Sequence, residues 1–337
     1  MDALREPTES FWDGKKVRVT GGAGFLGGPT VRLLESVGAD VSVVRSADFD
    51  LTDPVAAREA LAGAEVIFHL AANVGGIGFN RRHPAPLVRD DMAMGLNVFE
   101  AARQFGIEKL VAVCSVCAYP KFLDVPFSEG DIWNGDPEES NAPYGLAKRM
   151  LIVLSDTYRR QYGLDSTVPI LANLFGPDDN FDLEDSHVIP AMVHKYVAAE
   201  ERGDREVVLW GTGNPSREFL YVNDAARALA LVAEHAKTSE PCNVGTGVET
   251  RIGDLESIVS DASGFRGETV WDTSRPDGQA VRYLNVDRGR ELLGFEARIG
   301  LEEGVRLTVE NFRDLHLLRQ SADGKFRSGK GSILVQC

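Results

Sequence analysis

The amino-acid sequence predicts an α/β protein that is built on a doubly wound parallel sheet and has a smaller α/β domain towards its C-terminus. Three observations predict this fold class. Short apolar runs of strand length alternate with segments of helical periodicity in the first half of the chain, and a glycine-rich turn joins the first strand to the first helix. The alternation stops near Gly176, where loops rich in Asp, Asn, Gly and Pro begin. Strands that alternate with helices require crossover connections, and hence a parallel sheet covered on both faces.

The individual elements follow from the apolar pattern. A helix is predicted from the glycine turn until Gly38 stops it, and two further helices are predicted at about 92–105 and 144–162. The strands, in chain order, are predicted at 17–20, 41–44, 66–70, 110–113 and 167–171.

We predict four segments. Residues 1–16 form an N-terminal extension, and 17–175 form the larger domain, to which a later segment near 217–237 returns. Residues 176–318 form mainly the smaller domain, and 319–337 form a tail that is polar and contains glycine.

Composition and charge exclude several classes of protein. The 337 residues are 43% hydrophobic, as expected of a globular chain, and the formal net charge of −15 argues against nucleic-acid binding, which needs a surplus of Lys and Arg. No apolar run approaches the roughly 20 residues that span a bilayer, and the first 16 residues lack a basic start and an apolar stretch. We therefore expect a cytoplasmic protein that binds neither nucleic acid nor membrane.

The four cysteines are too few and too unevenly spread for a disulfide framework, so we expect reduced thiols. Cys114 and Cys117 form a C-x-x-C pair, which is also typical of redox or metal sites. No second pair with ligand spacing exists in the sequence, so no metal is expected.

The glycine turn has the spacing of a dinucleotide-binding site. Gly21, Gly24 and Gly27, with Phe25 and Leu26 between the last two, lie where a chain must turn tightly and approach a pyrophosphate at a helix N-terminus. A chain with 34 glycines produces such spacings by chance, so an ordinary turn is the alternative. The position between an apolar strand and an amphipathic helix favours a Rossmann-type cofactor site.

The end of the second predicted strand indicates which dinucleotide binds. Arg45 stands where an arginine accommodates the 2′-phosphate of NADP and an acidic residue would select NAD, although it could instead be a plain solvated charge. We expect further contacts with NADP(H) from Asp50, Leu51, Ala71 and Ala72.

Tyr144 and Lys148 lie about one turn apart on one face of a predicted helix. A neighbouring ammonium group stabilises a phenolate, so the pair can transfer a proton at a carbonyl or hydroxyl carbon. We also expect both residues to contact the nicotinamide cofactor. Ser115 follows an apolar strand and can hydrogen-bond the same substrate oxygen. The spacing alone is common and usually structural.

Together, TGGAGFLG at 20–27, HLAA at 69–72, Ser115, Tyr144 and Lys148 resemble the extended short-chain dehydrogenase/reductase family, over nearly the whole chain. More specific segments resemble the family's GDP-sugar epimerase/reductases, and these segments are residues 73–77, 115–121, 173–177, 186–190, 217–222, 271–273 and 276–278.

The resemblance implies NADPH-dependent conversion of GDP-4-keto-6-deoxy-D-mannose to GDP-L-fucose, by epimerisation at carbons 3 and 5 and reduction at carbon 4. It assigns proton transfer at carbons 3 and 5 to Cys117 and His187, a thiol and an imidazole, and assigns the reduction to Tyr144, Lys148 and Ser115. Cys117 could otherwise be a small buried hydrophobe and His187 an ordinary loop histidine.

The resemblance also implies a homodimer formed through the helices near 92–105 and 144–162. It implies that five residues bind the GDP-sugar, namely Asn173, Lys195, Trp210, Arg217 and Arg282. The sequence departs from the family pattern at Asp91, Ala172 and Arg282, where asparagine, threonine and lysine are common. Epimerisation alone, reduction alone and a non-catalytic cofactor-sensing protein remain alternatives.

Overall fold

The computed structural model describes residues 4–74, 80, 82–183, 185–275 and 277–323. Residues 75–77, Pro276 and residues 324–337, which include parts of two sequence motifs and most of the predicted tail, lie outside the described residues. The strands of the described part are β1 (Lys16–Thr20), β2 (Asp40–Val44), β3 (Val66–His69), β4 (Lys109–Ala112), β5 (Cys114–Ser115), β6 (Ser166–Thr167), β7 (Pro169–Leu171), β8 (Asn173–Phe175), β9 (Glu206–Trp210), β10 (Ser216–Arg217), β11 (Phe219–Tyr221), β12 (Cys242–Val244), β13 (Thr250–Arg251), β14 (Glu268–Asp272) and β15 (Val281–Arg282).

The helices are α1 (Glu9–Trp12), α2 (Gly27–Ser36), α3 (Pro54–Ala60), α4 (Pro84–Phe105), α5 (Ala142–Tyr162), α6 (Val188–Arg202), α7 (Val222–His235), α8 (Ile252–Ala262), α9 (Asp287–Leu293) and α10 (Leu301–Asp323). Short 3₁₀ turns occupy Val116–Ala118 and Glu129–Trp133. Within the described part of the chain, no helix is both long enough and apolar enough to cross a bilayer.

The central sheet has the strand order β2-β1-β3-β4-β6, and every pair in it is parallel. Helices connect the successive strands, and all four residues of both β3 and β4 are buried. This arrangement confirms the predicted doubly wound α/β fold. Because the chain leaves β1 towards β2 and then crosses to β3, the strand order reverses between β1 and β3, which is where such sheets bind ligands.

The strand predicted at 167–171 is divided in two. β6 pairs with β4, whereas β7 pairs with β5 and β12. Pro169 begins β7 and has no backbone N–H to donate to a ladder, so the hydrogen bonding changes partner at this residue.

Two separate apolar cores fill the described structure. The larger core packs around the central sheet and includes most of α7. The smaller core joins α6, α8 and α10 to strands β9 and β11. We propose that the two cores mark the two domains, with α7 returning to the larger one.

The N-terminal segment is packed against α7. Trp12 is fully buried, and its indole Nε1 donates a hydrogen bond of 2.6 Å to Glu234 Oε1. The backbone N–H and the hydroxyl of Thr8 donate to the same carboxylate. At the other end of the chain, α10 runs to Asp323 and so passes the boundary predicted at residue 318.

Candidate active site

A cavity of about 1210 Å³ opens at the carboxyl end of the central sheet and extends into the smaller core. It begins at the carboxyl ends of β1 and β3 and reaches the strands β10 and β15. All residues that the sequence assigned to cofactor, catalysis or substrate line this cavity, except Lys195. The structure therefore brings together groups from distant parts of the sequence.

The glycine turn lies at the end of β1 and leads directly into α2. Gly21 has φ +69°, and a Cβ at this position would lie 2.9 Å from the backbone nitrogen of Ala71. A Cβ on Gly27 would overlap the carbonyl oxygen of Gly21. Only glycine therefore allows β1, α2 and the end of β3 to approach this closely, and residues 23–27 line the cavity at the N-terminus of α2, where a pyrophosphate would bind.

The residues after β2 form the rim of the cavity. Arg45 is exposed and has no ion-pair partner among the described residues, so its guanidinium can meet an incoming phosphate. Asp50 accepts hydrogen bonds from the hydroxyl and backbone N–H of Thr52, at 2.7 and 2.9 Å, and these bonds lower its pKa. The turn is thus held locally, while Leu51 packs inward into the larger core.

Ser115, Tyr144 and Lys148 lie together at the centre of the cavity. The ammonium Nζ of Lys148 is 5.7 Å from the centroid of the Tyr144 ring. Burial raises the pKa of Tyr144 well above its ordinary value, and a hydrogen bond with Ser115 opposes this shift. Tyr144 is therefore protonated at neutral pH and can act as a proton donor.

Lys148 is buried, and burial lowers its pKa. The strongest opposing influence is the charge of Asp91, whose own pKa is raised by its burial. Asp91 is buried on α4 and accepts a 2.6 Å hydrogen bond from the backbone N–H of Asn73 through Oδ1. The sequence marked Asp91 only as a departure from the family pattern, and the structure makes it a neighbour of the reacting group.

Cys117 and His187 enter the same cavity from different elements. Cys117 belongs to the 3₁₀ turn after β5, where its backbone N–H donates to Ser115 Oγ at 3.2 Å, and its side chain is partly exposed. His187 is the residue before α6, and its side chain is accessible from the cavity. The surrounding protein still desolvates its imidazole and lowers its pKa, which favours the neutral ring at neutral pH.

The neighbouring Cys114 is 1% exposed, and burial raises its pKa to about 12. It is therefore an unreactive core residue, and only the second cysteine of the C-x-x-C pair reaches the cavity. Among the described residues, Cys114, Cys117 and Cys242 are all free thiols.

The far end of the cavity is basic. Arg217 donates to the carbonyls of Ser216 and Gln279 at 2.7 and 2.6 Å, and burial together with the charge of Arg282 lowers its pKa to about 10. Arg275 lies 4.8 Å from the centroid of the Trp210 ring. This end combines cations with an aromatic surface, which suits a nucleoside diphosphate.

Asn173 lines the cavity at the start of β8, and its side-chain amide donates to the carbonyl of Glu218 at 2.8 Å. Lys195 is not among the residues that line the cavity, and its contact with the substrate stays a prediction. Its Nζ donates to the carbonyl of Val208 at 2.8 Å, because this face of α6 packs against β9.

Sequence reasoning missed several residues of the cavity wall. Gln279, Asp277 and Arg275 belong to an irregular loop and Glu138 and Ser140 to another, where no periodicity indicates which side chains face inward. The only signal was that Asp277 and Gly278 belong to one of the matching motifs.

Comparison with known proteins agrees with this geometry. The model of the NAD dependent epimerase/dehydratase family matches residues 17–245. The probable GDP-L-fucose synthase 1 of Oryza sativa subsp. japonica is 38% identical over 315 residues, which cover 91% of this chain and 94% of the relative. The GDP-L-fucose synthase of Escherichia coli (strain K12) is 36% identical over 310 residues, or 88% of this chain and 96% of that protein.

Solved structures extend the comparison. The crystal structure of a GDP-L-fucose synthetase from Naegleria fowleri bound to NADP superimposes with a TM-score of 0.83 at 29% identity, and covers 94% of this chain and 98% of that one. The extent of these matches, together with a cavity lined by residues from most of the matching segments, shows that the chain belongs to the NAD-dependent epimerase/dehydratase family and, within it, to the GDP-L-fucose synthases.

Proposed function

We propose that the protein uses NADPH to convert GDP-4-keto-6-deoxy-D-mannose to GDP-L-fucose, by inverting carbons 3 and 5 of the sugar and reducing its ketone at carbon 4. One observation carries this proposal. A single cavity is lined both by the group Ser115, Tyr144 and Lys148, which suits reduction of a ketone, and by Cys117 and His187, which suit proton transfer at carbon. A simple reductase needs only the first group.

The residues at the first part of the cavity fit NADP(H). The N-terminus of α2 and the glycines before it would bind the pyrophosphate, and Arg45 would bind the 2′-phosphate. Ala71 and Ala72 would border the rest of the dinucleotide at the end of β3. When bound, NADPH supplies the hydride that the ketone carbon accepts.

In the reduction, Tyr144 gives its phenolic proton to the ketone oxygen as that oxygen gains negative charge. Its pKa, raised by burial, keeps the proton available at neutral pH. The Lys148 ammonium, 5.7 Å from the ring centroid, stabilises the phenolate that remains. Ser115 donates a second hydrogen bond to the same oxygen and orients the ketone.

In the epimerisation, the ketone makes the hydrogens on its neighbouring carbons acidic, because an enolate delocalises the resulting charge. Inversion requires removal of a proton from one face of the sugar and its return to the other face. We assign these roles to Cys117 and His187, which enter the cavity from the turn after β5 and from the start of α6.

The GDP portion of the substrate fits the basic end of the cavity. Arg217 supplies a buried cation, and Trp210 offers a ring on which a base can stack. The relatives with 36–38% identity carry the name GDP-L-fucose synthase, which supports the choice of base and sugar.

The proposal includes a homodimer formed through α4 and α5. Several large apolar side chains are exposed on these two helices, namely Met92, Leu96, Phe105, Leu146 and Tyr162. Burial of these side chains in a dimer would remove apolar surface from water. Light scattering of the purified protein, with Leu96→Glu as the disrupting variant, tests this part of the proposal.

We also propose a cytoplasmic location, because a reducing compartment would keep the free thiol of Cys117 reduced. Fractionation of cells of the source organism tests this location.

Product analysis tests the proposed activity. Purified protein is incubated with NADPH and a panel of GDP-, UDP- and dTDP-linked 4-keto sugars, and the product stereochemistry is determined by NMR. We expect consumption of NADPH and a product inverted at carbons 3 and 5 with the GDP-linked sugar. Reduction without inversion, inversion without reduction, or no turnover of any sugar would each overturn the proposal in favour of one of the other classes of function.

A further inference from the structure

Arg282 and Gln279 form a fixed hydrogen-bonded group beside Cys117. Both Nε and Nη2 of Arg282 donate to Gln279 Oε1, at 3.0 and 2.7 Å. The Gln279 amide Nε2 in turn donates to the carbonyl of Lys121 at 2.8 Å. One amide side chain therefore sets the orientation of the guanidinium.

The remaining guanidinium nitrogen, Nη1, lies 3.4 Å from the sulfur of Cys117. Arg282 is 8% exposed and has no carboxylate partner among the ion pairs of the described residues. Because no carboxylate neutralises it, its positive charge remains available to the sulfur. An adjacent guanidinium stabilises the anionic form of a cysteine, which is the form that accepts a proton.

We infer that Arg282 is a catalytic residue of the epimerisation that supports Cys117 as a thiolate base, and that Gln279 is a positioning residue that acts through Arg282. This inference rests on the proposed function. It gives Arg282 a role different from the GDP-sugar contact that the sequence predicted.

The step that Arg282 supports is balanced without a further reactant. The thiolate of Cys117 forms an S–H bond as a C–H bond beside the ketone breaks, and the pair of electrons of that bond enters the enolate. His187 takes a proton from solvent, and the resulting imidazolium gives it to the enolate carbon on the other face, which leaves the neutral imidazole. The thiol of Cys117 then loses its proton to solvent, so the thiolate and the neutral imidazole are both restored.

The reduction has its own residues, so the two reactions can be separated experimentally. Ser115, Tyr144 and Lys148 make no hydrogen bond to Arg282 or Gln279 in the described structure. Loss of the Arg282 guanidinium should therefore reduce proton transfer at carbons 3 and 5 much more than transfer of hydride to carbon 4.

The experiment compares Arg282→Met, Arg282→Lys and Gln279→Leu with the original chain, all with Cys337→Ser so that Cys117 is the reactive thiol. Deuterium uptake into GDP-4-keto-6-deoxy-D-mannose is followed by NMR in D₂O with NADP⁺ present. The oxidation of NADPH and the ratio of inverted to uninverted product are measured separately.

We expect Arg282→Met to slow deuterium uptake by about 100-fold or more, which is the usual loss when one group that stabilises charge in an active site is removed. Gln279→Leu should slow uptake by about 10-fold, since the charge remains but its orientation is lost. Arg282→Lys should fall between these variants. NADPH oxidation should change little, and uninverted reduced product should accumulate.

Lys121→Met provides the matched control. It changes the side chain that pairs with Glu139 but keeps the backbone carbonyl that Gln279 contacts, so uptake should be unchanged. The rate of Cys117 alkylation by iodoacetamide gives a readout without substrate. It should fall in Arg282→Met and Gln279→Leu and be unchanged in the control.

Equal losses of deuterium uptake and NADPH oxidation, with a raised KM for the sugar and unchanged alkylation, would overturn the inference and assign Arg282 to substrate binding. Unchanged uptake in Arg282→Met would overturn it directly. If the original chain neither exchanges deuterium nor oxidises NADPH, then the proposed function itself fails, and this outcome is distinct from the other two.

Discussion

Replacement of Arg45 by methionine tests how the protein distinguishes NADPH from NADH. Arg45 lies on the rim of the cavity after β2, exposed and without an ion-pair partner among the described residues. Methionine keeps most of the length of the side chain and removes its charge. Because Arg45 supports no other described side chain, we expect the free energy of unfolding to change by less than about 0.5 kcal/mol, as for ordinary surface substitutions.

The magnitude follows from the contact that is lost. A hydrogen bond to a charged group contributes about 1.5–3 kcal/mol. At about 1.4 kcal/mol for each tenfold change, this corresponds to a dissociation constant for NADPH that is about 10- to 150-fold higher in Arg45→Met. The constant for NADH should be unchanged, because NADH has no 2′-phosphate. The loss should also decrease as salt concentration rises, since Arg45 is exposed to screening ions.

Titration calorimetry with each nucleotide measures both constants. Arg266→Met is the control, because Arg266 is a highly exposed arginine between α8 and β14 that pairs only with the highly exposed Asp261 among the described residues. An equal loss of affinity for NADPH and NADH, or no loss for either, would refute the assignment of Arg45 to the 2′-phosphate.

Three further predictions concern the scaffold around the site. Gly27→Ala should abolish NADPH binding measured by fluorescence, because the added Cβ overlaps the carbonyl oxygen of Gly21; retained binding would contradict this. Trp12→Phe should lower the free energy of unfolding in urea by about 1.5–3 kcal/mol, because the buried Glu234 carboxylate loses its 2.6 Å indole donor. Burial lowers the pKa of His69 to about 3, so its contribution to stability is complete above pH 6.5 and is lost as the pH falls towards 3. Between pH 7 and 5 the free energy of unfolding should fall by about 2 kcal/mol for this reason. The urea midpoint of His69→Gln should lack this pH dependence, and an unchanged pH dependence would show that His69 is not the group responsible.

The sheet was predictable from sequence because its strands are buried on both faces. Such strands appear as continuous apolar runs, and the observed β1, β2, β3 and β4 each match their prediction to within a residue at either end. The strand at 167–171 was predicted as one piece, since apolar character does not reveal that Pro169 changes the pairing partner.

The start of α4 shows why functional segments are harder to predict. A helix was predicted from about residue 92, whereas α4 begins at Pro84. The intervening turns carry Arg89, Asp90 and Asp91, whose charges interrupt the apolar periodicity that identifies a helix. Asp90 lines the cavity, and Asp91 lies near Lys148, so the polar residues that obscured the helix belong to the site.

The site depends on contacts between residues that are distant in sequence, and this limits what motifs can reveal. The sequence assigned Cys117 to proton transfer and Arg282 to binding of the GDP-sugar, because no local pattern links two residues that are 165 positions apart. The parallel pairing of β15 with β10 and the hydrogen bond from Gln279 to the carbonyl of Lys121 bring the guanidinium of Arg282 to the sulfur of Cys117. Lys195 was predicted to contact the substrate from its position in the sequence, but its side chain lies against β9. A motif therefore identifies which residues are available for chemistry, whereas the partner of each residue is determined by the fold.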